Sequence, residues 1–290
     1  MTYSMFSQNN IDALQNHIQE IQKAVASDEQ LIPTISYWSL QKSLSNLQGL
    51  TQLYFPLRGV SEGDIPQFMP LFIFVEATIY QIDEEYENHI NTPQFISKHI
   101  SVLQNVLSQL NLFDNEIAKE LEEGLIYYRL EQKFCLGARP TQDDIDKASL
   151  FKCYDIGILQ RILLKIINQP YDEEFLSMCQ LFCQICKICT DIEDYKKDVE
   201  RNVINTYRMF VRLYGKEAPQ QLLNYMTGLN IKLQHQIKVY QKKQPDLAQK
   251  FIDMQNTYVE YEMRFSKRDF IDGLVIPEIS EPILEKNTLP

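Results

Sequence analysis

Three observations predict an all-α fold. Only nine glycines occur in 290 residues, and twelve prolines fall mostly between periodic segments. Gln, Leu, Lys and Glu, which lose little freedom in a helix, are abundant, as is Ile. Strand alternation and glycine-rich hairpin turns are hard to find. A chain of this length can bury a sizeable core, and no convincing linker divides it. The expectation is a single helical domain over residues 1–275, followed by an irregular tail over 276–290, IPEISEPILEKNTLP.

In chain order, helical periodicity predicts segments at 8–26 and 37–53. The next, 66–90, is built on the apolar run QFMPLFIFVEATIYQIDEEYENHI. Thr92 and Pro93 suit the start of 93–111, and a helix over 114–135 follows. Pro140 precedes 141–154, which is followed by 157–168 with Asn168 at its end. Pro170 leads into the long segment 172–200, and 202–214 ends at Gly215. The last segment, 216–272, starts near Pro219 and is broken at Pro245, where the ring removes a helix donor.

A formal net charge of −11 argues against a nucleic-acid footprint, which needs a basic face to neutralise phosphates. It leaves room for an anionic small molecule, because bound cations become the largest charges in such a site. No run of eighteen apolar residues appears, and MTYSMFSQNNIDALQ lacks the basic-then-apolar order of a signal peptide. The expectation is a soluble, cytoplasmic protein with no integral membrane segment. Six cysteines fit that compartment. Cys179, Cys183, Cys186 and Cys189 recur at helical spacing, but a rigid helix cannot wrap four thiolates around zinc. The same spacing suits an iron–sulfur cluster only on a loop. They are read as small buried residues.

Residues 179–205, CQLFCQICKICTDIEDYKKDVERNVIN, are the most informative. At 100° per residue Thr190, Asp194 and Asp198 stand within about 80° of one another, three oxygen ligands one turn apart. A comb of oxygens on an apolar helix suits a hard cation such as Mg²⁺, held by one or two carboxylates, water and substrate phosphates. Cys179, Cys183 and Cys186 share roughly that face and would line an apolar approach to it. A second acidic cluster closes the run at 67–90. Asp83 and Glu87 are four apart and share a face, downstream of Phe72, Glu76 and Tyr80. If the two helices pack in the same direction, the carboxylates face across the mouth of an apolar cavity. Solvated helix ends would give the same letters, so a noncatalytic helical protein stands beside this reading.

These motifs resemble those of the class I terpene synthases, with DDxx(D/E) on one helix and (N/D)Dxx(S/T)xxxE on another. The first falls on Asp83-Glu84-Glu85-Tyr86-Glu87 and the second on Thr190 to Asp198. Lys197 and Asn205 also match what many members show there. The resemblance implies a helical bundle around a central apolar cavity, with Asp83, Glu87, Thr190, Asp194 and Asp198 as ligands. It implies three Mg²⁺ ions, with Mn²⁺ as an alternative, and a prenyl diphosphate substrate. It also implies a diphosphate sensor, assigned to Lys152 or to Lys147, with Asp155 following Lys152 and a helix break near Gly157. Arg264, or Arg268, takes the place of the C-terminal arginine of the family's Arg-Tyr pair. A homodimer is the default assembly. Phe72, Glu76, Tyr80, Cys179, Cys183 and Cys186 would line the cavity, Glu76 as a general base or else a surface residue.

The motifs are relaxed. Glu84 replaces an aspartate, Thr190 an Asn or Asp, Asp194 a Ser or Thr, and Asp198 a glutamate. Each metal substitute keeps an oxygen, though Asp198 is one methylene shorter, which leaves an inactive relative as one alternative. The trans-isoprenyl diphosphate synthases are another, since TDIEDYKKD is similar to their DDIxDY motif. Their Arg-Arg after the first acidic motif is replaced here by NHINTPQ, and no Gly-Gly-Lys-Arg occurs near the N-terminus. The expected chemistry is therefore ionisation of an allylic diphosphate followed by conversion of the carbocation to a terpene hydrocarbon or alcohol.

Overall fold

The computed structural model describes residues 35–88, 94–261 and 274–282. The helix expected over 8–26 lies outside the described residues. Among them every regular element is helical and no strand occurs, so the all-α expectation holds.

Helix α1 spans Tyr37–Gly49 and passes through a π-helical turn, Leu50–Tyr54, into the short helical turn Phe55–Leu57. Then come α2 (Ile65–Asn88), α3 (Gln94–Gln109), α4 (Asn115–Cys135), α5 (Gln142–Phe151) and α6 (Tyr154–Ile166). Helix α7 (Glu173–Arg201) is the longest, followed by α8 (Thr206–Tyr214), α9 (Ala218–Gln241) and α10 (Pro245–Tyr261).

Local chemistry explains most of these ends. Ser36 caps α1 by accepting from the Ser39 amide. Thr141 and Asp144 form a reciprocal capping box on α5. Asp172 caps α7, whose far end closes on Asn202 in the left-handed conformation, φ 53°. Pro219 sits in the first turn of α9, where its missing N–H costs nothing. Two expected boundaries are corrected, and the expected break at Pro245 holds. The break between α5 and α6 falls at Lys152–Cys153, and Gly157 lies in the first turn of α6. Residues 202–205 form a turn, so α8 starts at Thr206. The last expected helix divides just before Pro245, as its fixed ring requires.

The described chain groups into two compact units. The first comprises residues up to Leu121 and 158–171. In it Phe72 is fully buried and meets Phe55 edge-on at 5.1 Å, while Val75, Ala77 and Ile79 extend the buried face of α2. The second comprises 122–157 and the chain from Asp172 onward. Here α7 packs against α5, α8 and α9, and Phe175 meets Phe251 edge-on at 5.5 Å. Two segments, 65–86 and 173–201, are long and apolar enough by length and composition to cross a membrane. Of the most apolar 18-residue window in each, 56% and 72% is buried within the protein.

Gly124 of α4 is required by close packing in the second unit. A Cβ there would lie 2.6 Å from ring carbons of Tyr154. That ring is tied down by a 3.0 Å hydroxyl–hydroxyl hydrogen bond to Tyr128. Overpacking costs about 1–3 kcal/mol, more than the ~1 kcal/mol of helix propensity that alanine returns. Gly124→Ala is therefore expected to lower the urea midpoint.

Candidate functional site

Helix α7 carries its comb from the surface into the protein. Thr190 is exposed and its hydroxyl donates to the Cys186 carbonyl at 3.3 Å. Asp194 is half-exposed and has Lys197 3.6 Å away across one turn. Asp198, at the inner end, is buried. Upstream, Cys179 and Cys186 are buried and Cys183 is half-buried. Burial pushes the Cys186 thiol well above its ordinary range, and Cys189 up to about 12. Cys153 is raised first by its hydrogen bond to Cys183 and then by burial. Cys153, Cys186 and Cys189 are therefore neutral at physiological pH.

The carboxylate that organises this end is one that the helical-face argument passes over. Asp191 is 2% exposed. One of its oxygens accepts from Lys152 Nζ at 2.5 Å, and the other from the Thr206 amide at 2.8 Å. The same aspartate therefore receives the ammonium at the α5–α6 break and the first amide of α8. Asn205 completes the link. Its side-chain oxygen caps α8 by accepting from the Arg208 amide at 3.2 Å. Its amide nitrogen donates to the Asp191 carbonyl at 2.6 Å and to Asp198 Oδ2 at 2.8 Å. Asn205→Ala removes a cap worth about 1 kcal/mol and strips a buried carboxylate of a donor, about 1 kcal/mol more. A loss of about 2 kcal/mol in chemical denaturation is expected.

The electrostatics follow from this crowding. Burial raises the Asp198 pKa, Asn205 pulls it back, and the charges of Asp191 and Asp194 add to the rise. Burial works against the Lys152 ammonium, yet the attraction and hydrogen bond of Asp191 outweigh it and the pKa is raised. Burial thus makes ionisation of Asp198 less favourable than in water. A divalent cation against Asp194 and Asp198 would relieve that penalty, and the all-oxygen donor set of Thr190, Asp194 and Asp198 suits Mg²⁺. Among the described residues no three His, Cys, Asp or Glu side chains converge on one point, and the third member of this set is a hydroxyl.

Of the two candidate sensors, Lys152 is brought to the comb and Lys147 is not. Lys147 is exposed and paired at 2.6 Å with Asp143 on its own helix. Asp155 accepts from the Ile156 amide and has Lys187 3.9 Å away. Gly157 donates its amide to the Cys153 carbonyl at 3.2 Å, closing the first turn of α6. Arg264 and Arg268 lie outside the described residues.

The first acidic cluster belongs to the first unit. Asp83 is paired with Lys42 at 3.0 Å, and that ammonium also lies 4.4 Å from the centre of the half-buried Tyr80 ring. Glu84 accepts from the Ser36 and Ser39 hydroxyls at 2.6 and 3.0 Å, which ties α2 to the start of α1. Glu85 meets His99 at 3.1 Å. Glu87 is helical, and its side chain lies outside the described residues. Glu76 is fully buried and accepts from Asn46, which corrects its reading as a surface residue.

Residues 274–282 have no helix and belong to the second unit. Tyr207 donates to the Pro277 carbonyl at 2.9 Å, the Ser280 amide donates to the Tyr195 hydroxyl at 3.2 Å, and Glu281 pairs with Arg208 at 3.2 Å. No known family, curated protein or solved structure matches this chain.

Proposed function

We infer that this protein is a class I terpene synthase-like enzyme that ionises an allylic prenyl diphosphate and converts the carbocation to a hydrocarbon or alcohol. Geranyl, farnesyl and geranylgeranyl diphosphates are the candidate substrates. The observation that carries this reading is the end of α7. There Asp194 and Thr190 lie one and two turns along the helix from Asp198, which is buried in a network where Lys152 binds Asp191 and Asn205 binds both Asp191 and Asp198.

Thr190, Asp194 and Asp198 are the residues of the second unit that would hold Mg²⁺. The metal would supply neutralisation of the charge that develops on the departing diphosphate. Asn205 fixes the rotamer of Asp198 and Asp191 fixes Lys152, so neither group has to be ordered when substrate arrives. Lys152 keeps three donors and spends one on Asp191, leaving donors for a diphosphate oxygen. As the allylic C–O bond breaks, its electron pair leaves with the diphosphate. The cation left behind needs walls free of nucleophiles. Buried Cys179 and Cys186 are compatible with that role.

The test is incubation of the purified protein with each diphosphate, alone and with isopentenyl diphosphate, with and without Mg²⁺, followed by product analysis. A Mg²⁺-dependent terpene from a single substrate, lost in Asp194→Ala, is the expected result. Longer diphosphates formed only with isopentenyl diphosphate would assign a prenyltransferase instead. Absence of turnover with every substrate would overturn the enzymatic reading.

A further inference from the structure

We propose that Cys153 and Cys183 are a dithiol pair that a small-molecule disulfide of the glutathione type oxidises reversibly to a protein disulfide, which joins α7 to the turn that follows α5. The pair lies outside the oxygen comb, and its chemistry requires no metal.

The packing around the pair places it. Cys183 lies on α7, and Cys153 lies in the short turn that separates α5 from α6. Three contacts hold these two segments side by side. Gln184 Nε2 donates to Ser149 Oγ at 2.8 Å, Lys152 Nζ donates to Asp191 at 2.5 Å, and Lys187 Nζ lies 3.9 Å from Asp155. Within that frame the Cys153 and Cys183 side chains hydrogen-bond each other. A hydrogen bond between thiols already brings the sulfurs together, and a disulfide needs them to close to about 2.05 Å. Rotation of the half-buried Cys183 side chain and adjustment of the turn at Cys153 can supply that movement.

Accessibility fixes the order of events. Cys153, Cys179, Cys186 and Cys189 are buried, while Cys135 and Cys183 are half-buried. An external disulfide therefore meets Cys183 before Cys153. The Cys183 thiol loses its proton and its sulfur attacks one sulfur of the reagent, forming a mixed disulfide as the first reagent thiolate leaves. The Cys153 thiol then loses its proton, its sulfur attacks Cys183 Sγ, and the second reagent thiolate leaves. In sum, two protein thiols are oxidised to one disulfide and the reagent is reduced to two thiols, which carry away both protons. Burial and the hydrogen bond keep Cys153 protonated at neutral pH, so the second step is the slow one. The Lys187 ammonium works in the other direction by favouring the thiolate. The new bond would pin the turn that carries Lys152 to the helix that carries Asp191.

The experiment is incubation of the folded full chain with oxidised glutathione, followed by an acid quench, alkylation of the remaining thiols under denaturing conditions and peptide mapping by mass spectrometry. The expected result is a linked pair of peptides carrying Cys153 and Cys183, separated again by dithiothreitol, with Cys179, Cys186 and Cys189 alkylated. In Cys153→Ser the reaction should stop with glutathione on Cys183, and in Cys183→Ser no disulfide should form at Cys153. If either variant fails to fold, the wild-type map decides alone. A wild type that holds glutathione on Cys183 without resolving it, that links Cys183 to any other cysteine, or that leaves both thiols open to alkylation would overturn the proposal.

Discussion

Replacing Asp191 with alanine is expected to cost about 3 kcal/mol of stability, the largest loss predicted for any single side chain in the second unit. The carboxylate satisfies two donors at once, Lys152 Nζ and the Thr206 amide, from segments far apart in sequence. Its removal leaves a buried amide unpaired and an ammonium without its counter-charge. Breaking a buried pair from one side typically costs about 3–5 kcal/mol. The low end applies because the Lys152 side chain is 25% exposed and can regain some water. If the stranded ammonium dominates, Lys152→Met combined with Asp191→Ala should recover about half of the loss in a double-mutant cycle. The pH dependence has a definite sign. Lys152 titrates above its ordinary value of 10.5 in the folded protein, so its stabilising contribution is complete below that pH. It is lost as pH rises through the higher folded value. Urea unfolding should therefore show a constant gap between wild type and Asp191→Ala from neutral pH to about pH 10, narrowing only beyond it.

Asp198→Asn is expected to do the opposite to stability while removing function. Burial and the neighbouring Asp191 and Asp194 raise the Asp198 pKa, so the ionised form is strained in the metal-free fold. Its folded pKa lies above the unfolded one. The sign of the linkage is that acidification through the folded value stabilises the protein at this site, and deprotonation destabilises it. An asparagine keeps an oxygen for the Asn205 amide and discards the charge. A gain of about 1 kcal/mol is expected, within the usual range of a single stabilising substitution. The same variant should weaken stabilisation by Mg²⁺ with diphosphate, because a neutral amide lacks the charge with which a carboxylate holds Mg²⁺. A destabilised Asp198→Asn protein that responds to Mg²⁺ as wild type does would show that Asp198 is a packing residue.

Helix positions were legible wherever an apolar stripe of period 3.6 and a proline or asparagine boundary coincided, as at Pro140, Pro170 and Pro245. The turn between α7 and α8 was not, because Val203 and Ile204 continue the apolar pattern while the backbone turns at Asn202. Two asparagines three apart, one suited to a left-handed C-cap and one to an N-cap, were the available signal. The comb itself could be read from 100° steps along one helix. Asp191 was missed by the same arithmetic: it stands about 100° from Thr190, on the buried side, and its importance comes from Lys152 and Thr206. Such tertiary partners leave no periodic trace. The tail shows the same limit, since its sequence gave no sign of the Arg208–Glu281 pair.

The most direct test of a metal site on α7 is a Mn²⁺ titration of the full chain followed by electron paramagnetic resonance, with and without inorganic diphosphate. Thr190, Asp194 and Asp198 as ligands predict Mn²⁺ binding that diphosphate tightens and Mg²⁺ competes away. Asp194→Ala, a change at a half-exposed side chain that leaves the buried network intact, should weaken it at least tenfold. Binding that ignores diphosphate, or that survives in Asp194→Ala, would contradict the account.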